Sequence, residues 1–217
     1  MVDWQQIDTV LLDMDGTLLD LHFDTYFWLE HVPQRYSEKH GLELEAVKQD
    51  LHARFRAMMG TIDWYSLDYW TEELGLDIAL LKEEVDHLIA VHPYVTDFLD
   101  AVRASGKRML LVTNAHMKSL ELKMQRTQLG GHFDHVVVSH DFGLPKEELA
   151  FWDRLQEVEK FDPQRTLLVD DSLPVLRSAK EYGIRWLLAV YEPDSNTPRR
   201  DVEEFDAIET FRDIMPD

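Results

Sequence analysis

The sequence predicts an α/β fold, a doubly wound, Rossmann-like parallel sheet core with an inserted all-helical cap domain. Two observations predict the core. Short Val/Leu-rich runs each stop in polar residues, and stretches with helical spacing lie between them, several closing on glycine. Strands separated by helices require right-handed crossovers, and a sheet covered on both faces reads as apolar throughout. A third observation predicts the insertion: from about residue 21 to residue 93 the alternation stops, and the pattern is helical and aromatic-rich.

The first strand is the apolar run within residues 8–12, stopped by the acidic and glycine residues that follow. The insertion then reads as four amphipathic helices over residues 23–36, 44–59, 63–74 and 77–91, separated by Gly41, Gly60 and Gly75. A helix over 94–106 closes on Gly106 and feeds the second strand, RMLLVTN, which ends at Asn114. MKSLELKMQRTQLGG is a helix closing on Gly130, and HVVVSH is a strand ending at His140. TLLVDD, ending at Asp171, gives the fourth strand; SLPVLRSAKEYG, a helix closing on Gly183; and WLLAVY, a fifth strand ending at Tyr191. The expected domains are a core of residues 1–20 and 94–217 and a helical cap of residues 21–93. The cap leaves the sheet beside the first strand's carboxyl end and can close over it.

Composition narrows the function. In 217 residues there are 42 acidic and 22 basic side chains, a formal charge of −20. No basic face is available to bind nucleic acid by counterion release, and anionic membranes are repelled as well. With no cysteine, disulfides, thiolate nucleophiles and Cys-ligated metals are excluded. The first ten residues lack a basic and apolar signal pattern, and no run approaches the ~18 apolar residues of a membrane span. A cytoplasmic protein is expected.

The chemistry gathers at the strand ends. Asp13 and Asp15 follow the first strand at i and i+2, so both side chains lie on the same side of an extended segment. Two carboxylates sharing a pocket either raise one pKa or recruit a cation. Thr113 and Asn114 offer a hydroxyl, an amide and backbone N–H groups at a helix start, which suit phosphate oxygens. Lys146 follows the third strand, stiffened by Pro145. Asp170 and Asp171 follow the fourth, and adjacent carboxylates after a buried run are costly unless a cation holds them. An all-oxygen donor set suits magnesium.

These residues, in this order, resemble the motifs of the haloacid dehalogenase (HAD) superfamily: DxDGT at Asp13 to Thr17, a strand ending in Thr113 and Asn114, Lys146, and the paired Asp170 and Asp171. The insertion lies where that superfamily carries its C1-type cap. The wider stretch DTVLLDMDGTLLDLHFDTYFW, with DWYSLDYW and LGLDI, is similar to the bacterial GMP/IMP 5′-nucleotidases. The resemblance implies a magnesium-dependent phosphomonoester hydrolase, with Asp13 as nucleophile and Asp15 as general acid and base. Thr113, Asn114 and Lys146 would hold the phosphoryl group. Asp13, Asp15 (through its carbonyl), Asp171 and Asp170 would hold the metal. The expected partner is a small phosphate ester, a purine nucleoside 5′-monophosphate in the first instance; the oligomeric state is open.

Many relatives carry Pro after the motif Lys; here Glu147 follows it. Asp15 argues against halide expulsion, which needs no general acid. Phosphonatases use a cap lysine, and Lys39, Lys48 and Lys82 all read as solvated helix faces. Substrate contact is assigned to Asp24, Tyr26, Trp64 and Tyr65, from the wider set of cap aromatics that includes Phe27, Trp28, Tyr69 and Trp70, and to the site-adjacent His116, whose role is open; the competing reading is that the cap aromatics form the cap's own core. The alternatives are a phosphosugar phosphatase or phosphomutase on the same scaffold and, from another class, a receiver-like phospho-Asp signalling module.

Overall fold

A computed structural model describes residues 2–216. Six parallel strands form one sheet in the order β3-β2-β1-β4-β5-β6: β1 Thr9–Leu12, β2 Arg108–Thr113, β3 His135–Val138, β4 Thr166–Val169, β5 Trp186–Val190 and β6 Ala207–Ile208. The five expected strands are present. The two-residue β6 was not anticipated, because a strand that short carries no periodicity to read. At the other edge His135 and Val136 of β3 are exposed, so the expectation that strands are apolar and covered throughout fails there.

Alternate residues of the central strands enter two separate cores. Val10, Leu12, Met109, Leu111, Leu167 and Val169 pack with Phe98 and Leu99 of α7 (Val95–Ala104) and Leu120 of α8 (Met117–Thr127). Leu11, Leu110, Val112 and Leu168 pack on the other face with Phe151, Trp152 and Leu155 of α9 (Leu149–Val158) and Val175, Leu176 and Ala179 of α10 (Leu173–Tyr182). Helix α9, which the sequence reading did not assign, is therefore one of the two covering that face. Helix α8 ends at Gln128 in the left-handed conformation (φ 60°), two residues before the expected stop at Gly130.

Between β1 and β2 lie α1 (His22–Tyr26), α2 (Val32–His40), α3 (Leu44–Met58), α4 (Ile62–Tyr65), α5 (Leu67–Leu74) and α6 (Ile78–Glu84). The expected first helix is α1 and α2 joined by a π-helical turn over Phe27–His31. Pro33 has no N–H to give to the carbonyl of Leu29, and the wider turn absorbs that gap. The expected third helix breaks at Ser66, whose hydroxyl caps α5 by accepting from the N–H of Tyr69 at 3.2 Å. The fourth is shorter than expected: it ends at Glu84, followed by a 3-10 turn. These helices share a third core, in which Trp70 sits edge-on to Phe55 with ring centroids 5.0 Å apart. The chain enters and leaves the insertion side by side, with the Asp20 N–H donating to Ala90 O (2.9 Å) and the His92 N–H to Leu18 O (2.9 Å).

Trp70 is fully buried and donates its indole N–H to Trp64 O at 3.0 Å. Trp70→Ala is expected to cost about 3–5 kcal/mol, measured by equilibrium denaturation followed by far-UV circular dichroism.

Candidate active site

Strand order reverses on either side of β1, and the carboxyl end of such a switch point is where doubly wound sheets open a crevice. Leu12 pairs with Leu111 and with Val169, so Asp13 and Asp170 emerge level with one another, one residue beyond their strands. Both are buried, at 6% and 1% exposure. Lys146 lies in the segment joining β3 to α9 and reaches back between them. Its Nζ donates to Asp13 Oδ1 at 2.5 Å, to Asp170 Oδ2 at 2.7 Å and to Val112 O at 3.0 Å, which uses all three protons. Burial works against the Lys146 ammonium, yet the charges of Asp13 and Asp170 outweigh it and raise its pKa.

Asp171 completes an acidic group. One carboxylate oxygen from each of Asp13, Asp170 and Asp171 lies within 4.8 Å of the others. Gly16 allows the approach. It turns the chain at φ +81°, and a Cβ there would stand 2.7 Å from Asp171 Oδ2. The Asp171 carboxylate receives no hydrogen bond from the described residues and has only an ion pair with Arg200 Nη1 at 3.7 Å. Burial, then the neighbouring Asp13 and Asp170, hold its pKa well above the ordinary carboxylate range. Three carboxylates against the Lys146 ammonium and the more distant Arg200 guanidinium still leave negative charge in excess, and the carboxylate donors are all oxygen. The residues therefore fit a hard divalent cation.

Asp15 belongs to a second charged chain. Lys123 Nζ on α8 donates to Asp15 Oδ1 at 2.6 Å and to Asp24 Oδ2 at 2.7 Å, and Lys82 Nζ on α6 donates to Asp24 Oδ1 at 2.6 Å. Both lysines are at most 2% exposed. Burial raises the Asp15 pKa to about 6 despite Lys123, with Asp24 and Asp13 adding to the rise. Asp24 is also desolvated, but its two lysines win and hold it at about 2. The Lys82 ammonium additionally rests over the rings of Phe23 and Phe27, 4.7 and 4.5 Å from their centroids.

Lys82 is thus a correction: it is buried, not on a solvated face. The sequence held the signal, since Ile78, Leu81 and Val85 put position 82 on the apolar side of α6. Its ammonium is bound by Asp24, so no free amine is offered for imine chemistry. Lys123 went unnoticed for the same reason, although Ser119 and Leu120 mark its face of α8 as buried.

A cavity of about 370 Å³ opens over these groups, between the strand ends and the helical insertion. Asp13, Asp15, Thr113, Asn114, Lys146, Asp170 and Asp171 all line it, as do Asp24, Trp64, Tyr65 and His116 among the residues expected to read a base. Tyr26 is not among the lining residues and packs against the insertion's core, with Phe27 and Trp70 inside that core. Trp28, another of the candidate aromatics, lines the cavity, as do Leu29 and Met59, which were not among the candidates. Asp24 has both oxygens engaged by lysines, which leaves it poorly suited to accepting a base N–H. His116 caps α8 and lies 3.6 Å from Asp68, and burial lowers its pKa. Asn114 spends its side chain on the loops: Oδ1 accepts from the Lys146 N–H at 3.0 Å and Nδ2 donates to Glu147 Oε2 at 2.9 Å.

Residues 7–183 match the family model of haloacid dehalogenase-like hydrolases, and the chain is a member of that family. That sets aside the receiver-like alternative. Within the family, the chain is 39% identical to the GMP/IMP nucleotidase YrfG of Escherichia coli over 99% of its own length and 97% of the relative's. Among solved structures it matches a HAD phosphatase from Thermococcus onnurineus with a TM-score of 0.80 at 23% identity, covering 96% of each chain. CbbY from Rhodobacter sphaeroides in complex with phosphate matches at a TM-score of 0.70 and 15% identity, over 94% of this chain and 95% of that one. At those identities both speak to the fold. No helix of the described residues is long and apolar enough to cross a membrane.

Asp24→Asn would leave two buried ammonium groups short of a carboxylate, and a loss of about 3–5 kcal/mol is expected. Because the folded pKa lies below the unfolded value, Asp24's contribution is complete above 3.8 and disappears as the pH falls through about 2. Urea denaturation of wild type and Asp24→Asn should therefore show a gap at pH 5 that narrows towards pH 2.

Proposed function

We propose that the chain is a magnesium-dependent phosphomonoesterase working through an aspartyl phosphate, with purine nucleoside 5′-monophosphates such as GMP and IMP as substrates. The observation that carries the chemistry is the meeting of Asp13, Lys146, Asp170 and Asp171 at the floor of the cavity. The substrate reading is supported by the 39% identical nucleotidase and by the aromatic wall of Trp28, Trp64 and Tyr65. Residues 1–20 and 94–217 are read as the catalytic core and 21–93 as its cap, and the site of action as the cytoplasm.

In this reading Lys146 pins Asp13 Oδ1, and the other oxygen of Asp13 attacks phosphorus in line with the ester oxygen. As the P–O bond breaks, Asp15 passes its proton to the leaving alkoxide. What supports that role is position: Asp15 lines the cavity beside Asp13, and Lys123 fixes its carboxyl by one oxygen, leaving the other to carry the proton. Asp15 then takes a proton from the water that attacks the aspartyl phosphate, which restores both carboxyls and releases phosphate. The Thr113 hydroxyl and the N–H groups that open α8 surround the phosphoryl oxygens. Magnesium held by the Asp13, Asp170 and Asp171 carboxylates and the Asp15 carbonyl would neutralise the charge developing on those oxygens.

Phosphate release from a panel of nucleotides and sugar phosphates should be greatest with GMP and IMP, should stop on addition of a chelator, and should fall below detection in Asp13→Asn. A panel with no hydrolysed member in the presence of magnesium would sink the assignment. Asp15→Asn is expected to slow nucleoside phosphates about 10²–10⁴-fold and p-nitrophenyl phosphate far less, because only a high-pKa leaving group needs the proton. Equal losses on both substrates would remove Asp15 from the acid role.

A further inference from the structure

Glu147 directly follows Lys146, and the reaction as described does not use it. Its carboxylate is nonetheless the meeting point of three segments. From the insertion, Tyr65 at the end of α4 donates its hydroxyl to Glu147 Oε1 at 2.5 Å. From the end of β2, Asn114 Nδ2 donates to Glu147 Oε2 at 2.9 Å. The same Asn114 accepts from the backbone N–H of Lys146 at 3.0 Å, and the Lys146 ammonium holds Asp13 at 2.5 Å. An unbroken set of bonds therefore runs from the tip of the insertion to the nucleophile. Proline at 147 would abolish both side-chain bonds.

We propose that Glu147 is a positioning residue that latches the cap's Tyr65 to Asn114 and Lys146, so that seating the cap over the cavity also sets the groups around Asp13. This rests on the phosphoesterase reading above and assigns Glu147 a part in it. A carboxylate suits the task because it accepts from two donors at once, one on each oxygen, and both donors approach from different elements. The Tyr65 phenol is itself buried against Glu147, burial and then the Glu147 charge raising its pKa, so it stays a donor at any working pH. With the latch open, Asn114 loses the bond that orients its amide, and the Lys146 backbone is held by a freer partner. Small displacements of such groups are costly, up to about 100-fold for a shift near 1 Å.

The test is a double-mutant cycle on IMP hydrolysis with magnesium, read as kcat and KM separately, with thermal melts of every variant. Glu147→Ala is expected to lower kcat about 10- to 100-fold with KM changed less than about threefold. Glu147→Gln, whose amide still accepts from Asn114 and donates to Tyr65, should return kcat to within about threefold of wild type. Tyr65→Phe should lower kcat about tenfold alone and less than about twofold in the Glu147→Ala background, because the bond it removes is already gone. Equal losses from Tyr65→Phe in both backgrounds would overturn the latch, as would a loss confined to KM, which marks a substrate contact instead. A position 147 at which neither Ala, Ser nor Gln folds would overturn it too, since the role would then be structural. Wild type that hydrolyses no phosphate ester would instead overturn the reading beneath it.

Discussion

Carboxylates brought out of water must find cations, and that constraint organises this molecule. Asp13, Asp15, Asp24, Asp170 and Asp171 converge at one end of the sheet, where each unpaired charge would cost several kcal/mol. Three lysines answer them, each from a different element. Lys146 comes from the segment before α9, Lys123 from α8 and Lys82 from α6. The result is two alternating chains, Asp170–Lys146–Asp13 and Asp15–Lys123–Asp24–Lys82. The second runs from the core into the helical insertion, so pairing of charge also fixes where the insertion sits. What the lysines leave unbalanced is concentrated on Asp171 and its neighbours, the place where a divalent ion fits.

The same pairing sets apart the two aspartates that open the site. Asp13 is held by an ammonium whose three protons are all spent, which keeps one of its oxygens fixed and leaves the other uncommitted. Asp15 is two residues on and faces a different lysine, and burial raises both carboxyls to about 6 despite their ammonium partners. What distinguishes the two side chains is therefore which lysine holds each and where it stands, not their protonation. The insertion contributes the remaining wall. Trp28, Trp64 and Tyr65 turn towards the cavity while Phe27 and Trp70 close the insertion's own core, so the aromatic residues serve both of the purposes weighed for them.

Much of this was legible along the chain. Five of six strands, the place of the insertion and the acidic motif residues follow from short-range patterns: apolar runs, the i, i+2 pair Asp13 and Asp15, the doublet Asp170 and Asp171. Other segments differ from the expectation. The two-residue β6 has no period, α8 stops at Gln128 because a left-handed residue there ends it before the glycine, and α9 does carry a pattern, with Phe151, Trp152 and Leu155 on one face. Lys82 lies on the apolar side of α6, but a lysine in a charged stretch is ordinarily solvated, and it is the carboxylate partner 58 positions away that permits its burial.

The sequence by itself determined the class of sheet, the order of the strand-end motifs and the chemistry those residue types can perform, because these depend on spacing between near neighbours. Tertiary structure alone decided which charges are paired, which aromatics face the cavity and how Tyr65 reaches Glu147. Those outcomes depend on side chains separated by tens to more than a hundred positions coming within hydrogen-bonding distance, and no local pattern encodes a contact whose partner is not yet in place.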